Sequence, residues 1–227
     1  MALKAAPETL RKYGWLSLTD LAFQDTVLAK CDHHIFSAGE PIYRAGDETG
    51  GVVGVVEGQV GLHLEGRSND QTFGLLAGPG FWSGDLAAIT GRRRRVGIYA
   101  RSPCRVLRLP RAEMLRMAEA RPEAWRYFAL LAAMNLAVAI DLVDILRREK
   151  PAERVLLHIR LCLESSPAGG GSIQVSQNEL ASLAGLSRTT VNAVLAMLER
   201  DGVITKGYGK ITRGPKFEDA EAAVLFL

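Results

Sequence analysis

The chain has 227 residues, enough for one large domain or two modest ones, and its 48% hydrophobic and 23% charged residues exclude a disordered or fibrous protein. Its formal net charge of +3 does not by itself identify a polyanionic partner, because that effect depends on where the charge sits.

In chain order, residues 7 to 30 carry Leu10, Trp15, Leu16, Leu18, Leu21, Phe23, Val27 and Leu28 among polar residues. They read as one or two short amphipathic helices that cover the next unit. From His33 the pattern changes to short β-rich runs with Gly39, Gly46, Gly58, Gly66 and Gly78 at turn positions, the mark of an antiparallel roll. The run from Arg94 to Leu109 continues it, with Val96, Ile98 and Ala100 alternating against Arg95, Gly97, Tyr99 and Arg101 as in a half-buried strand.

Glu123 to Lys150 contains neither glycine nor proline and predicts one long helix. Phe128, Leu131, Leu142 and Ile145 occupy some faces of it and Leu136, Ile140 and Val143 others, so the helix is expected to pack on the roll and also against its twin in a homodimer. Pro151 marks a break. Glu153 to Leu163 reads as an amphipathic helix with Val155, Leu156, Ile159 and Leu163 buried, followed by a Gly-rich turn and an extended segment, Ser172 to Val175.

The stretch VSQNELASLAGLSRTTVNAVLAMLERDGV, from Val175 to Val203, has the punctuation of a helix-turn-helix. Ser176 and Glu179 have capping-box spacing, Gly185 suits the left-handed turn between helices, and Ser187 caps a second helix. Val191, Val194, Leu195 and Leu198 form the buried stripe of that helix, leaving Arg188, Thr189 and Asn192 outward near its N-terminus. There Arg suits guanine, Thr a thymine methyl or a hydrogen bond, and Asn adenine, so the segment points to double-stranded DNA. The expected DNA-contact set is Ser176, Ser187, Arg188, Thr189, Thr190, Asn192, Lys206 and Lys210. The two lysines, with Arg213, flank a Gly207-Tyr208-Gly209 tip between two short strands, a wing whose cations can approach phosphates. The expected fold is therefore α+β: an antiparallel jelly-roll over 1–120, a dimerisation helix and linker over 121–150, and a winged helix-turn-helix over 151–227.

LSRTTVNAVLAMLERDGVI, the GYGKI wing and GPGFWSGDLAAITGRRRRVGIYARSPCRVLRL, in that architecture, resemble the catabolite activator and FNR (CRP/FNR) family of bacterial transcription regulators over nearly the whole chain. In cyclic-nucleotide-binding members of that family a G-E-L-A-L cassette is followed about ten residues later by R-S-A or R-T-A. The resemblance implies an effector site at Gly84, Asp85, Leu86, Ala87 and Ala88, with Arg94 or Arg95 as the phosphate arginine. It also implies RNA polymerase as a partner.

The departures imply an effector other than cAMP, a nucleotide of another shape or another anionic small molecule. Asp85 is one methylene shorter than the family's Glu, the hydroxyl after the arginine is lost, and Ala139 and Ile140 replace the Thr-Ser pair that meets the base. The tract Arg92 to Arg95 reads either as a solvated hairpin tip or as an anion site. On the recognition helix Arg188 is retained, whereas Thr189 and Ala193 replace the family's Glu and second Arg, so the TGTGA half-site should not be read in full.

Cofactor expectations are negative. Cys31, Cys104 and Cys162 lack Cys-x-x-Cys spacing, which excludes zinc or a four-thiolate cluster built from the cysteines of one chain; they read as buried thiols in a reducing cytoplasm. His33, His34, His63 and His158 show no haem-ligand context, and adjacent His33 and His34 would point to opposite faces of a strand, against a cupin-type metal enzyme. A ligand-independent regulator with the roll as mere scaffold is the remaining alternative. No signal segment precedes the chain's first helix, and the apolar run from Ala129 to Ile140 is broken by Asn135 and short for a bilayer, so a cytoplasmic non-enzyme without membrane contact is expected.

Overall fold

The structure, a computed structural model, describes residues 8–65 and 71–225. After a helical stretch at 8–12 and a 3-10 helix Trp15–Leu18, helix α1 (Leu21–Lys30) leads into the roll, its first turn capped by the Asp20 carboxylate accepting from the Phe23 amide at 2.8 Å.

Two antiparallel four-stranded sheets make the roll. The strands are β1 (Asp32–Phe36), β2 (Pro41–Tyr43), β3 (Val52–Glu57), β4 (Val60–Glu65), β5 (Gln71–Ala77), β6 (Trp82–Ser83), β7 (Gly97–Ala100) and β8 (Cys104–Leu109). One sheet runs β1-β8-β3-β6 and the other β2-β7-β4-β5. The stretch read as one strand from Arg94 to Leu109 is thus two, belonging to different sheets.

Strand β3 explains why alternation fails in VVGVV. Val53 and Val55 face the roll interior with Val60, Leu75, Ile98 and Val106. Val52 and Val56 face a second core with Trp15, Phe23, Met114, Phe128 and Leu131, so both faces are buried. Gly54 lets the Trp82 indole lie against the strand, since an added Cβ would meet that ring at 2.5 Å.

Gly39, Gly46 and Gly58 take positive φ as expected at turns, while Gly66 lies outside the described residues. Gly78 differs. It does not have positive φ, but its amide donates to the Ser165 carbonyl at 3.0 Å and an added Cβ would sit 2.8 Å from Ser166 Oγ. It is small because the C-terminal module packs there.

Helix α2 (Asp85–Thr90) follows β6, and α3 (Arg111–Ala120) leads to the long helix α4 (Ala124–Arg147). Phe128, Leu131 and Ile145 of α4 are buried, whereas Leu136, Ile140 and Val143 are each 60% exposed. At 24 residues, with mean hydropathy 2.0 over its most apolar 18, α4 is long and apolar enough to cross a membrane by length and composition, unlike the shorter run visible in the sequence.

The C-terminal module comprises α5 (Pro151–Glu164), β9 (Ser172–Gln174), α6 (Gln177–Ala184), α7 (Arg188–Arg200), β10 (Ile204–Gly207), β11 (Lys210–Arg213) and α8 (Phe217–Leu225). Pro151 is the first residue of α5, where its missing amide hydrogen costs nothing. The wing strands extend to a three-stranded sheet β10-β11-β9. Helix α8 was not anticipated, although Glu218 and Asp219 in its first turn complement the helix dipole and Phe217 anchors it in the core. The module rests on the roll through the Gly78–Ser165 bond, an Ala168 amide to Pro79 carbonyl bond of 3.1 Å and an ion pair between Arg101 and Glu179.

Candidate functional site

Two places collect the residues singled out by sequence. In the first, the helix-turn-helix is built by its caps. Ser176 Oγ accepts from the Glu179 amide at 3.2 Å while Glu179 Oε2 accepts from the Ser176 amide at 2.8 Å, closing the capping box. Gly185 takes φ 60°, and Ser187 Oγ accepts from the Thr190 amide at 3.1 Å and pairs with the Thr190 hydroxyl at 2.8 Å. Val191, Val194, Leu195 and Leu198 are buried, as their spacing predicts.

A crevice of about 540 Å³ between these helices and the wing is lined by Ser176, Gln177, Arg188, Lys206, Tyr208 and Lys210. Arg188 and Thr189 are exposed and Thr190 half-buried. Asn192, expected outward, is half-buried on the flank of α7, and its Oδ1 has no partner among the described residues. The outward face continues instead through Ala193 and Ala196, which sequence reasoning passed over as contacts. Lys206 is tied to Glu199, Nζ to Oε2 2.8 Å, and this bond holds the Glu199 carboxyl below its ordinary range. Arg213 pairs with Glu218 at 2.8 Å, whereas Lys210 has no ion-pair partner among the described residues. Tyr208 stands fully exposed at the wing tip.

The second place is the roll mouth. Arg94 is 5% exposed and Arg95 is exposed, so only Arg94 of the two candidates turns inward. The loop at 46–47 fixes its backbone, with the Arg94 amide on the Asp47 carbonyl and the Gly46 amide on the Arg94 carbonyl, each at 2.9 Å. Its guanidinium lies 3.8 Å from the Tyr43 ring centroid and Nη2 donates to the Gly51 carbonyl at 2.8 Å. Nε and Nη1 are buried without a partner among the described residues. Gly84, with φ 95°, is obligatory beside it, because a Cβ there would come within 2.3 Å of Arg94 Nη1. Tyr43 is fixed by a 2.8 Å bond to Ser83, and burial pushes its phenol up to about 12. The remaining cavity, about 190 Å³, is lined by His34, Phe36, Ile42, Tyr43, Arg94 and Arg108 among others. Arg92 and Arg93 are exposed, so the arginine tract is a solvated tip except for Arg94.

Asp85 is buried, and Asn135 of α4 donates to its Oδ1 at 2.6 Å and to the Trp82 carbonyl at 3.2 Å. Burial raises the Asp85 carboxyl above its ordinary range, with the Asn135 bond opposing. Asn135, which in the sequence only interrupts an apolar run, is the tie between α2 and α4. Leu86 is 57% exposed and Ala87 is buried. Ala139 and Ile140 lie on the outward face of α4 and line no part of the Arg94 cavity within one chain.

Comparison with known proteins agrees with both places. The cyclic nucleotide-binding domain family matches residues 33–121 and the Crp-like helix-turn-helix domain family residues 153–214. The chain is 31% identical over 204 residues to the cyclic AMP receptor protein of Thermus thermophilus, covering 88% of this chain and 89% of that protein. It belongs to the CRP/FNR family of transcriptional regulators.

Within that CRP/FNR family, the HTH-type transcriptional regulator Cmr of Mycobacterium tuberculosis is 26% identical over 177 residues, covering 78% of this chain and 70% of that one. Among solved structures, the Thermus thermophilus catabolite activator protein superimposes with a TM-score of 0.51 at 26% identity, covering 93% of this chain and 96% of that one. FixK2 of Bradyrhizobium japonicum shares the fold with a TM-score of 0.71 at 21% identity, covering 87% and 96%. These likenesses point to a regulator rather than an enzyme. In this CRP/FNR regulator Gly84 and Arg94 stand together at the roll mouth, with the Tyr43 ring against the arginine and Asp85 tied to α4.

Proposed function

We propose that this CRP/FNR regulator acts in the cytoplasm as a homodimer on a two-fold symmetric operator, under the control of a small effector other than cAMP. The dimer is carried by one observation, the outward face of α4. Ala129, Ala133, Leu136, Ile140 and Val143 follow one another at alternating steps of four and three, and all are exposed. That is the seam of a two-stranded coiled coil, roughly 20 Å long at ~1.5 Å per residue. A membrane would also cover such a face, but the opposite side of α4 is already packed through Phe128, Leu131 and Ile145. A second copy of the chain suits both sides.

Pairing at α4 places two helix-turn-helix modules about the same dyad, so that two recognition helices meet successive major grooves about 34 Å apart. An effector that alters the α2–α4 tie would change that spacing, and RNA polymerase is the partner to which the output passes. Against cAMP stand the Tyr43 ring on Arg94, the engagement of Asp85 by Asn135 and the lack of a hydrogen-bonding side chain at Ala139 and Ile140.

Sedimentation and salt-dependent selection from random DNA test the dimer and its operator: a dimer enriching an inverted repeat is expected, and a monomer or absence of DNA binding would end the proposal. Because a relative bears the name of a cyclic AMP receptor protein, cAMP is the first ligand to titrate by calorimetry. No saturable heat is expected; saturable binding that tightens operator affinity would refute the effector assignment.

A further inference from the structure

The buried and outward faces of α7 stand opposite each other with unusual chemical consequence. Taking roughly 100° per residue, Val191, Val194, Leu195 and Leu198 centre on one side of the helix, and Thr189, Ala193, Ala196 and Arg200 fall within about 60° on the other. All four of the latter are exposed. Three of them present methyl groups, and the two central ones have neither donor nor acceptor.

We propose that α7 reads thymine 5-methyl groups through Thr189, Ala193 and Ala196, making these specificity-determining residues. The inference rests on the reading of α7 as the helix that enters the major groove. Of the features that base pairs present there, the donors and acceptors of guanine, cytosine and adenine gain nothing from alanine, whereas the thymine C5 methyl does. A stripe of small side chains also lets the helix axis approach the groove floor, bringing the methyl groups into contact. The three residues span seven positions, about 10.5 Å along the helix, which corresponds to about three base steps of ~3.4 Å. Arg188 lies at the N-terminal end of this stripe and suits guanine. Each half-site therefore carries a short A·T-rich block with thymine methyls toward α7, flanked on the Arg188 side by a G·C pair. Asn192, half-buried, lies on the flank of this stripe rather than within it.

The test uses the full-length protein. The best site from random selection is resynthesised with each thymine in turn replaced by uracil, which keeps the hydrogen-bonding edge and removes only the methyl group. Loss of one buried methyl corresponds to about fourfold weaker binding, expected at two or three positions per half-site. In Ala193→Ser and Ala196→Ser variants the thymine-to-uracil ratio should fall toward one at a single position each, with the other positions keeping theirs. Sites that tolerate uracil everywhere, or half-sites with G·C pairs throughout the block, overturn the inference while leaving the DNA-binding reading intact. Failure to select any DNA overturns both.

Discussion

The helix-turn-helix and the roll mouth are assembled by different kinds of contact. In the first, the decisive bonds join residues three apart: Ser176 to Glu179 and Ser187 to Thr190. In the second they join residues 40 to 51 apart: Tyr43 to Ser83, Arg94 to Gly51, Asp85 to Asn135, and Arg94 over the Tyr43 ring. Family resemblance transfers well where a few consecutive residues make the geometry. It transfers poorly where residues some 50 positions apart make the geometry, as Tyr43 and Arg94 do. The reading module thus follows from local spacing, whereas the roll mouth depends on contacts between distant segments.

The largest effect is expected from separating the two subunits of the proposed dimer, through which one region would act on the other. Ile140→Glu combined with Val143→Glu puts four charges into the seam of a pair. Removing buried apolar side chains of this size costs about 1.5–3 kcal/mol each, so a dimer weakened by on the order of 4 kcal/mol or more is expected. Sedimentation should then show a monomer, and operator binding should fall at least about a hundredfold. Undiminished binding by a monomer would mean that the module reads DNA alone.

Arg188→Ala sharpens the comparison at the reading head. A loss of about 1–3 kcal/mol on the best operator is expected, together with relaxed preference at one base position. An equal loss on every sequence, measured by competition with unrelated DNA, would reassign Arg188 to phosphate. Smaller again is Ser176→Ala, which removes the acceptor for the Glu179 amide. Cap deletions typically cost ~1 kcal/mol, and a melting temperature lower by about 2–4 °C is expected for a chain of this size.

Much of the module was legible because its signals are local. Capping residues and the turn glycine marked both ends of α6 and the start of α7, and the apolar period marked the buried face of α7. Asn192, expected outward, is half-buried because it lies only about 60° around the helix from buried Leu195, a flank that a list of core residues leaves ambiguous. In the roll the succession of short strands and turn glycines was readable, but not how they pair or what they enclose. Two adjacent arginines in an extended segment point opposite ways, and only the register of the chain around Gly46 and Asp47 selects Arg94 as the inward one. Gly78 opens a turn as its position suggests and is also a docking point, and Asn135 looked like a flaw in an apolar helix and is the partner of Asp85. Both depend on tertiary neighbours that no window of sequence contains.

Asp85→Asn has a small effect whose sign distinguishes a strut from a charged binding group. In the unfolded chain this carboxyl ionises near 3.8, and in the folded chain burial raises it, against the opposing pull of Asn135, Arg94 and the start of α2. Between those two values the folded state binds more protons than the unfolded one, so Asp85 lowers stability as pH rises through that window and keeps it lowered above. Asparagine removes the titration while its Oδ1 can still accept from Asn135. The variant should therefore melt higher than the wild type at neutral pH, by about 2–4 °C for each kcal/mol recovered, with the gain vanishing as the pH falls below about 4. A gain that does not depend on pH would place its origin in packing rather than charge. A loss at neutral pH would mean that attraction between Asp85 and Arg94 outweighs the desolvation of both, and the site would then be a poised ion pair rather than a neutralised strut between α2 and α4.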